Sequence, residues 1–256
     1  MPSLKQMIRE KKVVVGLTTQ HVTQPWLAKL WKRSGTDFVY IEYEHCFFNE
    51  AELASFILCC RAEGLPVVAK TPECSRTHVA KLLEAGVIGI QLPWTESRAQ
   101  IDQLVSYVKF PPVGIRAASP GMGNSDYNLD IDGKLFLEKA NEETVVLAHV
   151  ETRRGVDHID EILSCPQVDI VFLGLTDLTV SYGLPAQYTH PDVESAIEKV
   201  LAAAKRAGKL VGMWVPGYAV ARPWIEKGVS FFETASEIDM IDSSARRIIS
   251  EFRQAG

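Results

Sequence analysis

The chain of 256 residues is 46% apolar and carries a formal net charge of only −5, with no long block of one sign, which argues against an electrostatic grip on nucleic acid and for small-molecule chemistry. Nowhere do eighteen apolar residues run together, and Met1–Lys12 alternates charged with apolar residues, so neither a membrane span nor a secretory signal is expected and the protein reads as cytoplasmic. The five cysteines, at 46, 59, 60, 74 and 165, are odd in number and lack zinc-ligand spacing, which reads as reduced, packed thiols.

In chain order, short runs of β-branched and aromatic residues recur at Val13–Leu17, Phe38–Ile41, Pro66–Ala69, Ile88–Leu92, Val145–Val150, Ile170–Leu173, Leu210–Trp214 and Ser230–Phe232. Between them the apolar period changes to that of a helix over Gln24–Arg33, Ala51–Ala62, Ser75–Ala85, Ser97–Val108, Gly155–Leu163, Pro191–Ala207, Ala219–Lys227 and Ile238–Phe252. Gly64, Gly86, Gly208 and Gly228 stand where glycine can end a helix in the left-handed conformation. Strands this continuously apolar, alternating eight times with helices, predict a parallel sheet covered by helices. The count of eight and a length near the roughly 250 residues of one (β/α)8 barrel favour a single barrel domain spanning 1–256 over an open doubly wound sheet. Gly16-Leu-Thr-Thr-Gln20 after the first strand is also no dinucleotide fingerprint. The longest irregular stretch, Lys109–Glu143, reads as a flap over the site, because a loop of that length in a compact domain usually serves function.

In such barrels chemistry sits at the carboxyl ends of the strands. Those ends carry Glu42, Glu44 and His45 after the second strand, Lys70 after the third, Gln91 after the fourth, His149 and Glu151 at the fifth and Asp177 beyond the sixth. A single acid at a strand end is usually a helix cap. Acids on neighbouring strands with an imidazole and a cation on the same rim instead suggest a metal-assisted site, and carboxylate ligands without cysteine suit Mg2+, Mn2+ or Co2+. Trp214 and Trp224 read as core packing in preference to the barrel mouth, and the turns after strands seven and eight carry no glycine-rich phosphate signal.

Asp37-Phe-Val-Tyr-Ile-Glu-Tyr-Glu-His45, Pro66-Val-Val-Ala-Lys70, Tyr107–Arg116, Val150-Glu-Thr152, Val171–Leu178 and His190-Pro-Asp-Val193 together resemble the HpcH/HpaI aldolases, metal-dependent class II enzymes that act on 2-oxo acids. The resemblance runs from about Val13 to the C-terminus. It implies a phosphoenolpyruvate/pyruvate-binding type of (β/α)8 TIM barrel that cleaves or forms 4-hydroxy-2-oxo acids through a pyruvate enolate. Its partners would be a small 2-oxo acid and an aldehyde, and the last helix would pack on a neighbouring subunit in a hexamer, a dimer of trimers. Residue by residue, it implies Glu151 and Asp177 as metal ligands and His45 as the catalytic base. Lys70 would touch the oxo acid and its enolate, with Gly174, Thr176, Asp177 and His149 also meeting the substrate. Glu84 would reach a neighbouring subunit's site and help hold the histidine's water.

The chain departs from the family pattern at Lys70, where arginine is usual, at Glu42-Tyr43 in place of Asp-Gly, at His149 in place of glutamine and at Leu175-Thr176 in place of Pro-Ala. Lysine keeps the charge of arginine without its planar fork. Three alternatives stay open at this stage. Lys70 as a Schiff-base nucleophile is one. Oxaloacetate decarboxylation or citrate-type condensation on the same enolate is another, and a catalytically impaired oxo-acid binder is the third.

Overall fold

The computed structural model describes residues 3–10 and 13–254. Residues 1–2, 11–12 and 255–256, part of the N-terminal stretch and of the 1–256 span read above, lie outside the described residues. Eight strands, β1 Val14–Thr19, β2 Phe38–Glu42, β3 Val67–Lys70, β4 Gly89–Leu92, β5 Val145–Val150, β6 Ile170–Leu173, β7 Leu210–Trp214 and β8 Phe231–Ser236, close a barrel in sequence order. Every pairing is parallel, and β8 returns to β1, with a shift of register between Leu17 and Thr18. The helices in chain order are α1 Leu4–Glu10, α2 Pro25–Ser34, α3 Glu50–Ala62, α4 Arg76–Ala85, α5 Arg98–Val108, α6 Gly133–Glu143, α7 Arg153–Asp157, α8 Ile159–Leu163, α9 Leu175–Ser181, α10 Pro191–Ala207, α11 Tyr218–Glu226 and α12 Glu237–Gln254. The (β/α)8 reading is thus the observed fold. Gly64, Gly86, Gly208 and Gly228 all take positive φ, as their positions at helix ends predicted.

Alternation along each strand sorts the core into two layers. Val39, Ile41, Val67, Ala69, Ile90, Val146, Ala148, Val171 and Met213 point outward into the layer shared with the helices. Val14, Phe38, Tyr40, Val68, Val145, Leu147, Ile170, Phe172 and Phe231 fill the barrel itself. Phe38 and Phe231 stack with ring centroids 4.5 Å apart, and a Cβ at residue 16 would run into the Phe38 ring, so glycine there makes room for it. The interior is sealed at its amino-terminal end by α1, whose Leu4, Met7 and Ile8 join that inner cluster. The alternation of charge in this segment gave no sign of a plug, because a seven-residue helix shows only two turns of its buried face.

Three other expectations need correction. The segment read as one helix over Gly155–Leu163 is two short ones, α7 and α8, meeting at His158. Lys109–Glu143 is not wholly irregular, since it ends in α6, capped by Asp132, whose side chain accepts from the backbone N–H groups of Lys134 and Leu135. Nor is it a flap over this chain's own barrel mouth. It joins the end of α5 to the start of β5, and a helix-to-strand connection returns at the amino-terminal end of the barrel. Its contacts agree: Asp126 pairs with Arg61 in the last turn of α3, at 2.8 and 3.0 Å, and Lys109 donates to the carbonyls of Asn141 and Thr144 just before β5. Loop length alone does not say on which end of a barrel a loop lies, whereas connection type does.

Candidate active site

The inward-facing residues change character from one end of the barrel to the other. Following the alternation, the layer nearest the carboxyl ends holds Thr18, Glu42, Lys70, Gln91, His149, Trp214 and Glu233, one per strand except β6, whose Phe172 is followed by Gly174. Most of these line a cavity of about 490 Å³ together with Glu151, Thr176 and Asp177, so separate strand ends converge on one site.

Lys70 is the hub. Its ammonium lies 2.8 Å from Glu42 Oε2 and 2.8 Å from Glu44 Oε2, and it is 5% exposed. Burial alone would drive the amine towards neutrality, but the two carboxylates outweigh it and hold its pKa above the ordinary lysine value. Glu42 also accepts from the backbone N–H groups of Glu44 (3.1 Å) and His45 (3.3 Å), which fixes the turn that follows β2. His45 then sits at the rim, with Nε2 3.5 Å from Glu44 Oε2 and its side chain 63% exposed. Ligand atoms of Glu42, Glu44 and His45 lie within 4.8 Å of one another, a spacing that would suit a metal, but the lysine ammonium already bridges the two acids.

The second feature is the acid pair expected to bind metal. Glu151 is 2% exposed, and its Oε1 accepts from the Trp94 backbone N–H at 2.7 Å. Burial pushes its carboxyl up to about 7, against the pull of the Trp94 hydrogen bond and Lys70, and the nearby charge of Asp177 pushes the same way as burial. No lysine or arginine pairs with Glu151 among the described residues. Asp177 comes from the first turn of α9 and lines the same cavity. Two oxygen donors lining one cavity, one of them buried and short of positive charge, fit a divalent cation, whose charge would offset the burial of Glu151. Gly174 lets the chain pass this point: a Cβ there would lie 2.6 Å from Glu151 Oε2 and would also strike His149 Nε2.

His149 is buried and neutral, since burial lowers its pKa well below the histidine value, with Lys70 and His45 acting in the same sense. Gln91 Nε2 contacts its Nδ1 at 3.1 Å and donates to Tyr40 Oη at 3.3 Å. With Nδ1 accepting, Nε2 carries the proton. That nitrogen lies 3.2 Å from Glu151 Oε2 but has no hydrogen bond of acceptable geometry, leaving a buried donor without a partner.

Of the residues singled out from sequence, Lys70, His149, Glu151, Gly174, Thr176 and Asp177 share the cavity, and His45 stands on its rim. Glu84 does not join them. It lies on the outer flank of the barrel, on α4, lining a separate groove of about 380 Å³ between α3, α4 and the 122–127 segment. Cys46 offers no thiolate, because burial pushes its thiol up to about 11. Trp214 lines the cavity, contrary to the core reading, since residue 214 falls on the inward phase of β7, whereas Trp224 packs against the core as expected and also reaches the cavity.

Two buried acids were missed. Glu233, 2% exposed, projects inward from β8 with Oε1 unpartnered, and counting alternate residues from Phe231 would have found it. Burial pushes its carboxyl well above the usual range, against Lys70 and with Glu42 adding to the effect. Glu237 accepts from the backbone N–H groups of Gln20 at 2.9 Å and Val22 at 2.9 Å and pins the loop after β1. Its position just past β8 gave no hint of partners over 200 residues away.

Acids, a committed ammonium and an imidazole gathered at the carboxyl ends of a parallel barrel mark the active site of a barrel enzyme. Comparison narrows the class. Residues 21–244 match the model of the HpcH/HpaI aldolase/citrate lyase family, and the chain belongs to that family. An HpcH/HpaI aldolase from Desulfitobacterium hafniense DCB-2 superposes with a TM-score of 0.92 at 25% identity, covering 99% of this chain and 97% of that one. A family protein from Burkholderia cenocepacia J2315 gives 0.89 at 29% identity, covering 98% of both chains. Among curated proteins, a 5-keto-4-deoxy-D-glucarate aldolase of Shigella boydii is 24% identical over 250 residues, 98% of this chain and 96% of its own length.

The Gly174 contact makes a sharp prediction. Gly174→Ala should weaken metal binding by tenfold or more and also lower the thermal midpoint, because the intruding methyl meets the buried Glu151 side chain and His149. Unchanged metal affinity by titration calorimetry would show that the strand β6 end gives way without disturbing the acid.

Proposed function

We propose that the protein is a divalent-metal-dependent aldolase that makes or breaks the C3–C4 bond of 4-hydroxy-2-oxo acids, with Glu151 and Asp177 holding Mg2+, Mn2+ or Co2+. The observation that carries this reading is the buried, cation-poor Glu151 carboxyl beside Asp177 in a cavity that also contains a committed ammonium and a neutral imidazole. A bound cation would act as Lewis acid and template for the oxo acid's enolate.

The chain's own groups account for the remaining steps. Lys70 has three N–H bonds, two of which go to Glu42 and Glu44, so one is left to donate to the enolate oxygen. The backbone N–H groups at Thr176 and Asp177, in the first turn of α9 where helical N–H groups lack internal partners, orient the oxo acid's carboxylate beside Gly174, and His149, which lines the same cavity, meets the substrate. In cleavage His45, directly or through a water, takes the C4 hydroxyl proton. The C3–C4 electron pair passes into the enolate, the aldehyde leaves, solvent water protonates C3 to give pyruvate and the imidazole gives up its proton to solvent; condensation runs these transfers in reverse. Glu44, 3.5 Å from the imidazole, orients it.

The same geometry argues against Lys70 as a Schiff-base nucleophile. That chemistry needs a neutral amine, and the two carboxylates keep this one protonated. Decarboxylation of oxaloacetate or a citrate-forming condensation would use the same donors, and the family's own description spans aldolases and citrate lyases. The aldolase reading ranks first because His45 stands ready for a hydroxyl proton that decarboxylation does not require.

The subunit is also proposed to assemble, as a hexamer built from two trimers, with α12 packed on a neighbour and Glu84 entering a neighbouring site. Support comes from α12: Ile238, Ile241, Ile248, Ile249 and Phe252 are exposed along it, and of its residues only Glu237 is buried. Sedimentation should give an oligomer, and a fully active monomer would refute the shared site.

Two further measurements test the chemistry. Excess chelator should abolish activity, Mn2+, Co2+ or Mg2+ should restore it, and Asp177→Ala should lose metal binding while keeping its fold; turnover that survives chelation, with borohydride trapping at Lys70, would establish the Schiff base instead. His45→Ala should slow carbon–carbon cleavage about 10²- to 10⁴-fold and leave proton exchange at the pyruvate methyl group nearly intact. Equal losses in both reactions would remove the hydroxyl-proton role from this residue.

A further inference from the structure

The charge inventory of the cavity bears on the second substrate. Four carboxyl groups line it, Glu42, Glu151, Asp177 and Glu233, and among the described lining residues Lys70 is the only lysine or arginine. That ammonium is already divided between Glu42 and Glu44, each at 2.8 Å, and its remaining N–H is assigned to the enolate. The nearest arginines along the chain are also engaged: Arg153 stacks over the Tyr182 ring at 4.2 Å, and Arg154 lies 3.8 Å from Glu96. Arg116 belongs to the opposite end of the barrel, over Phe110 at 4.5 Å. The one residue proposed to enter from a neighbouring subunit, Glu84, is itself acidic. A cation bound by Glu151 and Asp177 is balanced by those two ligands, and the oxo acid brings a further negative charge of its own.

The outer part of the cavity is apolar. Trp214, Tyr188 and Val220 are 46%, 45% and 46% exposed at its wall, with Trp224 and Pro216 beside them. Exposed aromatic surface at a pocket mouth favours contact with an apolar body. On the floor, Glu233 is a buried carboxyl whose Oε1 has no hydrogen-bond partner, so it offers no positive charge to an anionic group.

We propose that, within the aldolase reading on which this inference rests, the electrophile is an uncharged aldehyde with an apolar body, and that Glu42 and Glu44 set this preference by keeping the pocket's single ammonium from any second carboxylate. A carboxylate on the electrophile would enter a low-dielectric site with no cation to meet it, and burying an unpaired charge is costly. The preference arises from committed charge in addition to shape. Removing one of the two acids should therefore relax it, even though no contact to the electrophile is changed.

The test uses the full-length, metal-loaded protein and succinic semialdehyde beside two uncharged analogues, each condensed with pyruvate. One is its near-isosteric amide, 4-oxobutanamide, and the other its methyl ester, methyl 4-oxobutanoate, which adds one methyl group; the amide must follow the ester if charge sets the preference. The wild-type protein should favour the ester by at least about tenfold in kcat/KM, and Glu42→Gln should shrink that ratio about tenfold by freeing one N–H of Lys70. Glu44→Gln, which frees the same ammonium from the other side, should do likewise and covers the case in which the first variant does not fold. Binding of the aldehydes to the metal-free protein, followed by the fluorescence of the cavity tryptophans, should show the same order without any turnover. Equal or better use of succinic semialdehyde by the wild type would overturn the inference, as would a ratio unmoved in both variants. Exchange of the pyruvate methyl protons, measured in parallel, separates the two levels: exchange without any preference for the ester overturns this inference alone, and absence of exchange overturns the aldolase reading and the inference with it.

Discussion

The ammonium of Lys70 held between Glu42 and Glu44 is the interaction on which the site depends. It joins the ends of β2 and β3, neutralises acids that would otherwise repel one another in the barrel, and sets the side chains on either side of it. Glu42 shapes the turn carrying His45, and Glu44 reaches from the lysine to that histidine. A charged group this deep is tolerated because its partners are close and converge on it; an isolated ammonium at the same depth would lose its proton. The arrangement also bears on the chemistry, because an amine held protonated by two carboxylates suits a fixed positive charge better than a nucleophile.

Acid–base character at the site follows from which carboxyls have a cation and which do not. Glu42 and Glu44 have Lys70. Glu151 has one backbone N–H and a neutral imidazole, and its carboxyl rises to about 7. Glu233 has neither a cation in contact nor a partner for Oε1. The same residue type thus takes on different roles, as ion-pair partner, candidate metal ligand and buried wall whose carboxyl is pushed towards its neutral form, according to burial and neighbours. The departures from the family pattern at residues 42, 70 and 149 belong to one connected group. Lys70 pairs with Glu42, and burial aided by the lysine's charge keeps His149 neutral.

Much of this architecture was legible in the chain. Val145–Val150, Ile170–Leu173, Leu210–Trp214 and Pro191–Ala207 have the bounds their patterns predicted, and most other long elements differ by only one or two residues at either end. The strand ends were therefore known to within a residue or two, which sufficed to bring Lys70, His149, Glu151 and Asp177 to one rim. What escaped had weak local signal. The helix α1 is too short to display a period, α6 was hidden inside a segment read as a flap, and Glu233 was passed over because its strand was cut short at Phe232.

Alternation of residue types along the chain by itself determined that there would be eight parallel strands, helices around them and polar groups at the carboxyl ends, because strand and helix periods are local properties of the backbone. Only the tertiary structure decided which acids would be neutralised. That depends on distances between side chains from different strands, such as the 2.8 Å contacts of Lys70 with Glu42 and Glu44, and on burial, which no local pattern encodes. The same cause gave Glu84 its groove beside α3 and the 122–127 segment, whereas the place of the 109–143 segment at the amino-terminal end of the barrel was already implied by its following a helix and preceding a strand.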